Sequence, residues 1–242
     1  MPISVNLAKF QVLFTLPIYL QSIHEQSAIK SGVNTISMVA FFAFGSVLSG
    51  FIISKTGHLQ PLQLLSGLLA TAGATLLYTL KVDFSLARYI GPQIILGLGI
   101  GIGNQIPMTV YQFFSESEHV HTNTGIMLMT NGMSGAFLVT AATTIFNNRM
   151  LSTVARLATN IDRQTVLFTG ASKISKVFQG SDLVLVRRAY MVGIQDVFAS
   201  SMAGPAMTAV LSQMNPIKKL PGHERQSLVR IDLSRLVLSN TG

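Results

Sequence analysis

Charged residues divide this chain into long apolar stretches. Uncharged runs occupy residues 10–24, 31–54, 56–80 and 89–115, and two further apolar segments cover about 124–146 and 197–217. A helix needs roughly 20 apolar residues to cross a bilayer, so each stretch is a candidate membrane span. The pattern therefore predicts an all-α polytopic membrane protein with about six transmembrane helices.

The first and last of these stretches are the weakest. Only 15 residues separate Lys9 from Glu25. At 1.5 Å per residue a helix of that length is too short to cross the bilayer. We therefore expect the first span to borrow from residues 1–8, or to begin upstream of this sequence. The last stretch is rich in Ala, Ser, Met and Gly and contains Pro205.

A longer connecting segment, residues 148–188, carries its own hydrophobic pattern. Leu151, Val154, Leu157 and Ile161 recur at spacings of three, three and four residues, which places them on one face of a helix. Charged residues interrupt the segment too often for it to span a membrane. We expect an external amphipathic loop that lies on the membrane surface.

Basic residues in the short loops predict the orientation. Lys55 and His58 follow the second span, and Lys218 follows the sixth, so an even number of spans places them on one side. Lys and Arg accumulate on the cytoplasmic side of short loops, so that side is predicted to be cytoplasmic. Residues 1–217 would form the transmembrane bundle, and residues 218–242 a basic cytoplasmic tail.

Glycine stands at every second position of "LGLGIGIGNQIP", at residues 97, 99, 101 and 103. The spacing does not fit the dinucleotide-binding pattern, which needs a third glycine three residues after the second. In a helix, Gly97/Gly101 and Gly99/Gly103 form two pairs four residues apart, and small residues at this spacing let helices approach closely. These glycines indicate close helix packing, or a helix that flexes or slides during a conformational change.

Composition supports a membrane protein and excludes several soluble classes. The chain is 49% hydrophobic and 11% charged, with a mean hydropathy of +0.49, whereas soluble domains carry about 25% charged residues. The net charge of +8 comes mainly from residues 148–188 and 216–242, which hold 12 of the 17 Lys and Arg residues. There is no basic helix interleaved with aromatic residues, so nucleic-acid binding is not expected.

No catalytic or cofactor-binding constellation stands out. Cysteine is absent, so disulfides and thiolate metal sites are excluded. His119 and His121 lie near Glu116 and Glu118, and that loop either binds a metal weakly or is simply solvated. We expect neither an enzyme nor a bound cofactor.

Several patches, in order along the chain, carry a family resemblance. The chain resembles the C-terminal half of a major facilitator superfamily transporter, specifically the fourteen-span drug:proton antiporter family of fungal toxin and multidrug exporters. The degenerate second copy of the superfamily's loop motif matches at Gly50, Ser54, Lys55, Gly57 and His58. The patches are "LPIYLQSIHEQSAIKSGV" (16–33), "GFIISKTGHLQP" (50–61), "GLGIGIGNQIPMTVYQ" (97–112), "FTGAS" (168–172) and "AYMVGIQDVF" (189–198).

The resemblance implies a fold and a function. The six spans would be the ninth to fourteenth, forming one of two bundles that enclose a substrate at their shared midplane. It implies efflux of small amphipathic compounds such as secondary metabolites or toxins, at the plasma membrane or a vacuolar or vesicular membrane. We expect no active efflux without an N-terminal half, which a homodimer could only partly replace. The alternative is a non-transporting membrane remnant or interaction module.

Polar and aromatic residues within the spans are the candidates for the substrate path. Polar groups facing lipid are costly, so these side chains should face the bundle interior, where they line the path or form an internal hydrogen-bond network. The aromatic candidates have the alternative of core packing or membrane-interface anchoring. Lys55 and His58 either mark the cytoplasmic side or form a gate. The path candidates are Asn104, Gln105, Pro107, Gln93, Asn131, Phe14 and Tyr19.

Overall fold

The computed structural model describes residues 2–81, 87–114, 120–157 and 160–214. Nearly all of these residues are helical, and the described ranges contain no β-sheet. The predicted tail 218–242 and the residues Glu116, Glu118 and His119 lie outside the described residues. The helices are α1 (Pro2–Ser22), α2 (Ala28–Thr56), α3 (Gln60–Tyr78), α4 (Ala87–Phe114), α5 (Val120–Leu157), α6 (Arg163–Phe168), α7 (Ile174–Val177) and α8 (Gly180–Met214), with a 3-10 turn at Ala171–Lys173.

Six of these helices have 19 residues or more, namely α1, α2, α3, α4, α5 and α8. Four of them are long and apolar enough to cross a membrane: α2, α3, most of α4, and α5. α1 contacts all four of these helices, and α8 packs against α3 and α5. The prediction of an all-α polytopic membrane bundle is confirmed.

The first helix begins well before residue 10. α1 runs from Pro2 to Ser22 and therefore contains Lys9 in its interior. Ala8, Val12 and Leu16, spaced four residues apart, have no exposed surface, so they form one fully buried stripe. α1 contacts each of the five other long helices. The helix thus includes residues 2–8, in keeping with the expectation that the first span borrows from residues 1–8.

Successive long helices run in opposite directions, so the bundle has two ends. We call the end where α1 begins the proximal end and the end where α1 ends the distal end. At the proximal end, the Gln60 side chain donates to the Ser212 carbonyl at 3.1 Å and joins the start of α3 to the end of α8. At the distal end, Tyr19 donates to the Lys81 carbonyl at 3.2 Å. Gln195 donates to the Leu80 carbonyl at 3.1 Å at the same end. The start of α1 and the end of α8 therefore lie on the same side of the bundle.

The structure differs from the sequence-based expectation for residues 148–188. α5 continues without a break to Leu157 and α8 already begins at Gly180, so the connection is much shorter. Val154 is buried in the main core of the protein rather than facing lipid. Arg149 forms an ion pair with Asp196 of α8. Charges at this level do not stop a helix, because a helix that leaves the bilayer keeps its own backbone hydrogen bonds.

Two long helices keep broad apolar faces uncovered. Only 22% of the apolar window of α2 and of α5 is buried, against 44% for α3 and α4. On α5, Met129, Met133 and Phe137 are exposed at four-residue spacing, which places them on one face. Such apolar faces suit contact with lipid or with another helix bundle, because they offer no polar groups to water.

Candidate functional site

Polar side chains from α1 and α5 meet inside the bundle. Asn6 is only 2% exposed. Its side-chain nitrogen donates to the Asn131 side-chain oxygen at 2.6 Å and to the Ser134 hydroxyl at 3.0 Å. Unpaired polar groups are costly in apolar surroundings, so the pairing explains how these residues tolerate the interior of a membrane bundle.

Lys9 lies one helical turn after Asn6 and extends this polar group to α4. Its half-buried ammonium nitrogen is 3.5 Å from the Asn104 side-chain oxygen. The same nitrogen lies 4.6 Å from the centre of the Phe10 ring and 5.8 Å from that of Phe42. Aromatic faces stabilise a nearby cation, which lowers the penalty of placing the charge here. Among the described residues, no carboxylate forms an ion pair with Lys9.

We call Asn6, Lys9, Asn104, Asn131 and Ser134 the inner polar cluster. A small recess adjoins it between α1, α4 and α5, with a volume of about 10 Å³. That volume holds about one water-sized group. The residues that line the recess are Val5, Asn6, Gly103, Asn104, Pro107, Met127 and Asn131.

The sequence of α4 shapes one wall of this recess. Pro107 has no backbone N–H, so the Gly103 carbonyl one turn earlier receives no helical hydrogen bond from it. Gly103 itself packs against Ser66 of α3 and Val5 of α1, where a β-carbon would overlap the Ser66 hydroxyl. A small residue and a proline therefore bring three helices together beside Asn104.

Two of the predicted path residues lie elsewhere and are fully buried. Gln93 has no exposed surface, and its side-chain oxygen accepts from the Ser37 hydroxyl at 2.7 Å, joining α4 to α2. Tyr19 also has no exposed surface, and its hydroxyl lies 3.1 Å from the His24 ring nitrogen at the distal end. In this structure Gln93 joins two helices, and Tyr19 joins the end of α1 to the segments that follow α1 and α3. Neither side chain is accessible, and a role for them in the substrate path stays a prediction.

Phe14 and Gln105 take intermediate positions. Phe14 is partly buried and packs against the main hydrophobic core. Gln105 is half-buried on the side of α4 that faces α2, and its side-chain nitrogen lies 3.7 Å from the position a β-carbon would take at Gly50. The inner polar cluster therefore includes Asn104 and Asn131 of the predicted path, with Pro107 in the recess wall.

The glycines of α4 form two contact surfaces. Gly97 and Gly101 face α2: a β-carbon at Gly97 would lie 2.5 Å from the Met38 carbonyl oxygen, and one at Gly101 would overlap the Phe42 carbonyl oxygen. Gly99 and Gly103 face α3, against Ala70 and Ser66. The two pairs thus lie on adjacent faces of one helix, each against the backbone or a short side chain of a neighbour.

The loop motif lies at the proximal end. Gly57 ends α2 in a left-handed conformation, with φ 68° and its N–H donating to the Ile53 carbonyl. The Ser54 hydroxyl donates to the Phe51 carbonyl at 2.8 Å. The Lys55 nitrogen lies 4.3 Å from the centre of the Phe51 ring. Lys55 is exposed, so the predicted gate at Lys55 and His58 stays a prediction.

A second polar group closes the distal end. The Arg187 guanidinium of α8 pairs with the Glu25 carboxylate just beyond α1. Asn34 donates to the Gln26 side-chain oxygen at 2.7 Å. His24 lies beside them, where burial and then the charge of Arg187 lower its pKa below the usual value of 6.5. These contacts fasten the connection between α1 and α2 to the outer part of α8.

No family model matches the chain. The efflux pump notK of Aspergillus sp. (strain MF297-2) is 61% identical over 216 residues, which cover 89% of this chain and 38% of that protein. The dehydrocurvularin exporter of Aspergillus terreus is 52% identical over 219 residues, or 90% of this chain and 38% of the exporter. The MFS-type transporter grgE of Penicillium sp. is 32% identical over 213 residues, or 88% of this chain and 38% of that transporter.

This chain is homologous to part of the fungal efflux pumps. It spans about 38% of the length of the efflux pumps and exporters that it matches. These homologues, together with four helices that are apolar enough to cross a bilayer, make it an integral membrane protein. The resemblance to fungal exporters of the major facilitator type is confirmed.

Sequence reasoning missed Lys9, Asn6 and Ser134. Only 15 residues follow Lys9 before the next charged residue, too few to cross a bilayer, so the first span is expected to borrow from residues 1–8. That shortage was the available signal, because it requires Lys9 and Asn6 to lie inside the helix. In the described part of the chain, no three His, Cys, Asp or Glu residues are grouped so that they could hold a metal ion.

Proposed function

We propose that this chain forms the C-terminal-type six-helix bundle of a major-facilitator-type exporter. It would supply one wall of a path for small amphipathic compounds such as secondary metabolites or toxins. The observation that carries the proposal is the inner polar cluster, which lies inside a membrane bundle whose homologues are efflux pumps. Ionisable and amide groups inside membrane bundles mark substrate and ion pathways.

The depth of the cluster supports this role. Asn104 lies ten residues before the end of α4 at Phe114, and Asn131 lies eleven residues after the start of α5 at Val120. At 1.5 Å per residue both are about 15 Å from their helix ends, and Asn104 lies about 10 Å inside the apolar span of α4 that ends at Tyr111. Transporters of this type bind their substrates near the bilayer midplane between two bundles.

The chemistry around the cluster suits an amphipathic compound. Val5 and Met127 line the recess beside the amides of Asn104 and Asn131. Small-molecule sites combine an apolar lining with a few convergent polar groups that fix orientation. The recess is small in the single bundle, so the remaining wall of the path would come from a second bundle.

The exposed faces of α2 and α5 leave room for lipid on one side and for a partner bundle on another. An N-terminal-type bundle is the partner that the homologous pumps would provide, and a second copy of this chain is the other possibility. We propose the plasma membrane as its location, because a compound exported from the cell must cross that membrane, with a vacuolar or vesicular membrane as the alternative.

The 242 residues by themselves should not drive active efflux. Alternating access needs two bundles that move about a shared site. Proton coupling needs a carboxylate that titrates within the membrane. No Asp or Glu occurs in residues 31–80, 89–115 or 119–161. Uphill transport would therefore depend on a carboxylate in another segment.

A chimera tests the proposal directly. The matching region of the efflux pump notK is replaced by this chain, and efflux of a panel of fluorescent amphipathic dyes is measured in cells. We expect efflux by the chimera and a loss of it in Asn104→Leu and Asn131→Leu. Thr130→Leu, on the exposed side of α5 next to Asn131, should leave efflux unchanged.

Two results would contradict the proposal. A chimera that reaches the membrane but moves no dye favours a non-transporting membrane module. Uphill dye accumulation by the 242-residue chain alone, in vesicles with an imposed proton gradient, would show that the chain contains its own coupling residue.

A further inference from the structure

Lys9 is the one cation of the inner polar cluster, and the fold gives it few acceptors. An ammonium group has three donors. Among the described residues its only hydrogen bond goes to the Asn104 side-chain oxygen at 3.5 Å, a long contact. No described carboxylate pairs with it. The ammonium group therefore keeps unused donors inside the bundle.

The neighbouring amides are arranged so that their nitrogens are also left over. The Asn104 oxygen accepts from Lys9 and the Asn131 oxygen accepts from Asn6. Within the described residues neither the Asn104 nor the Asn131 side-chain nitrogen makes a hydrogen bond, and neither is fully enclosed. In the described part of the chain, the internal bonds thus leave two amide nitrogens as free donors beside the recess.

We propose that Lys9, together with the amide nitrogens of Asn104 and Asn131, binds the oxyanion of a weakly acidic amphipathic cargo. This inference rests on the proposed function and names the class of its substrate. A carboxylate, phenolate or enolate supplies acceptors for these unused donors, and hydrogen bonds between charged partners are the strong ones.

The dimensions of the site set which part of the cargo enters. The recess of about 10 Å³ admits one water-sized group. A single oxyanion oxygen fits there, whereas the apolar body of the cargo lies outside the recess, between the bundles. Phe42 and Phe10, which flank the ammonium, provide apolar surface beside the charged group.

The test uses two dyes that share one scaffold. 8-Anilinonaphthalene-1-sulfonate is an anion, and N-phenyl-1-naphthylamine is the same scaffold without the sulfonate. Their binding to the purified chain in nanodiscs of zwitterionic lipid is measured by fluorescence, with empty nanodiscs of the same lipid subtracted. The variants are Lys9→Gln and Lys9→Arg, and the matched control is Lys30→Gln, an exposed lysine at the distal end of α2.

We expect the wild-type chain to bind the anionic dye at least tenfold more tightly than the uncharged dye. Lys9→Gln should weaken binding of the anion by roughly tenfold or more, because a charged hydrogen bond is lost. It should change binding of the uncharged dye less than about twofold, since that dye makes no such bond. Lys9→Arg should retain most of the preference for the anion, and Lys30→Gln should behave as wild type.

Several results would overturn the inference. One is the absence of a preference for the anion in the wild-type chain, which is decisive even if Lys9→Gln does not fold. Another is an equal loss of both dyes in Lys9→Gln, which makes Lys9 a structural residue. If both dyes bind and the affinity for the anion does not depend on Lys9, this inference alone is wrong. If the chain binds neither dye, the proposed function is contradicted as well.

A last experiment distinguishes two partners for Lys9, an anionic cargo and a carboxylate of the other bundle. The same measurements are made on the chimera with the remainder of notK. If the anion binds the isolated chain but not the chimera, a carboxylate of the other bundle occupies Lys9, and the cargo assignment is wrong. Binding of the anion to both supports the cargo.

Discussion

At the scale of single residues, the glycines of α4, which have no side chains, decide how closely its neighbours pack against it. Gly97 and Gly101 lie against the backbone of α2, and Gly99 and Gly103 against α3. Even the β-carbon of alanine would collide with backbone atoms at Gly101. Close approach of this kind maximises van der Waals contact, which drives helix association in a membrane, where there is no hydrophobic effect between helices.

Gly101→Ala should therefore lower stability, because the added β-carbon overlaps the Phe42 carbonyl oxygen and the two backbones must separate. Overpacking of this kind costs about 1–3 kcal/mol. Thermal unfolding of the purified chain in detergent measures the effect. Gly132→Ala on α5 is the control, since nothing lies within 4 Å of its β-carbon position. Equal melting temperatures for the two variants would contradict the packing role of Gly101.

His24 makes stability depend on pH. Burial, and then the positive charge of Arg187, lower its pKa below the usual 6.5. The unfolded chain therefore takes up a proton here at higher pH than the folded chain does. The contribution of neutral His24 is fully present above about pH 6.5 and is lost as the pH falls below that value toward the folded pKa.

We expect the melting temperature of the wild-type chain to fall between pH 7.5 and 5.5, and that of His24→Gln to fall less. Glutamine keeps a hydrogen-bonding group near Tyr19 but does not titrate. The two melting temperatures are compared at both pH values in the same detergent. An identical decrease in wild type and His24→Gln would assign the pH dependence to another group.

At the scale of elements, the tight connection between α2 and α3 depends on one backbone conformation. Gly57 has φ 68° and ends α2, and only the residues up to Leu59 separate it from α3. Residues with a β-carbon are disfavoured in this left-handed region. The backbone conformation therefore explains why glycine occupies this position of the loop motif, whether or not Lys55 and His58 form a gate.

Gly57→Ala should destabilise the chain by about 1–2 kcal/mol, the penalty of a left-handed conformation for a residue other than glycine. Gly32→Ala in the first turns of α2 is the matched control, because it has open space and no positive φ. Alanine there should leave stability unchanged or raise it, since glycine is a poor helix former. Melting temperatures measure both, and an unaffected Gly57→Ala would show that the connection relaxes freely.

At the scale of the whole molecule, six long antiparallel helices place Lys55 and the end of α8 on one side. The opposite, distal side holds several basic residues, but two of them are paired: Arg149 with Asp196, and Arg187 with Glu25. Arg149 and Arg187 lie within α5 and α8, whereas orientation is set mainly by basic residues in short loops near the spans. The cytoplasmic side should therefore be the proximal one.

A protease-cleavable tag tests this orientation. We expect a tag after residue 242 to be cleaved only once the cells are permeabilised, and a tag inserted after the exposed Gly170 to be cleaved in intact cells. The control is a soluble cytoplasmic protein with the same tag, which must stay intact until permeabilisation. Cleavage of the C-terminal tag in intact cells would reverse the orientation.

The sequence by itself determined that this is a membrane bundle and roughly where its helices lie. Runs such as residues 31–54 and 89–115 lack charges altogether, and only helices that satisfy their own backbone can hold such runs in lipid. It also determined that Gly97 to Gly103 present two small faces, because the four-residue spacing requires it. Such inferences depend on local pattern alone.

The tertiary structure decided which polar residues meet. Gln93 and Asn104 look alike in sequence, yet one is enclosed between α4 and α2 while the other faces Lys9. Helix rotation, set by packing against neighbours far away in sequence, makes that choice. The same holds for Asn6 and Asn131, which are 125 residues apart in the chain and 2.6 Å apart in space. The inner polar cluster exists only because α1, α4 and α5 converge.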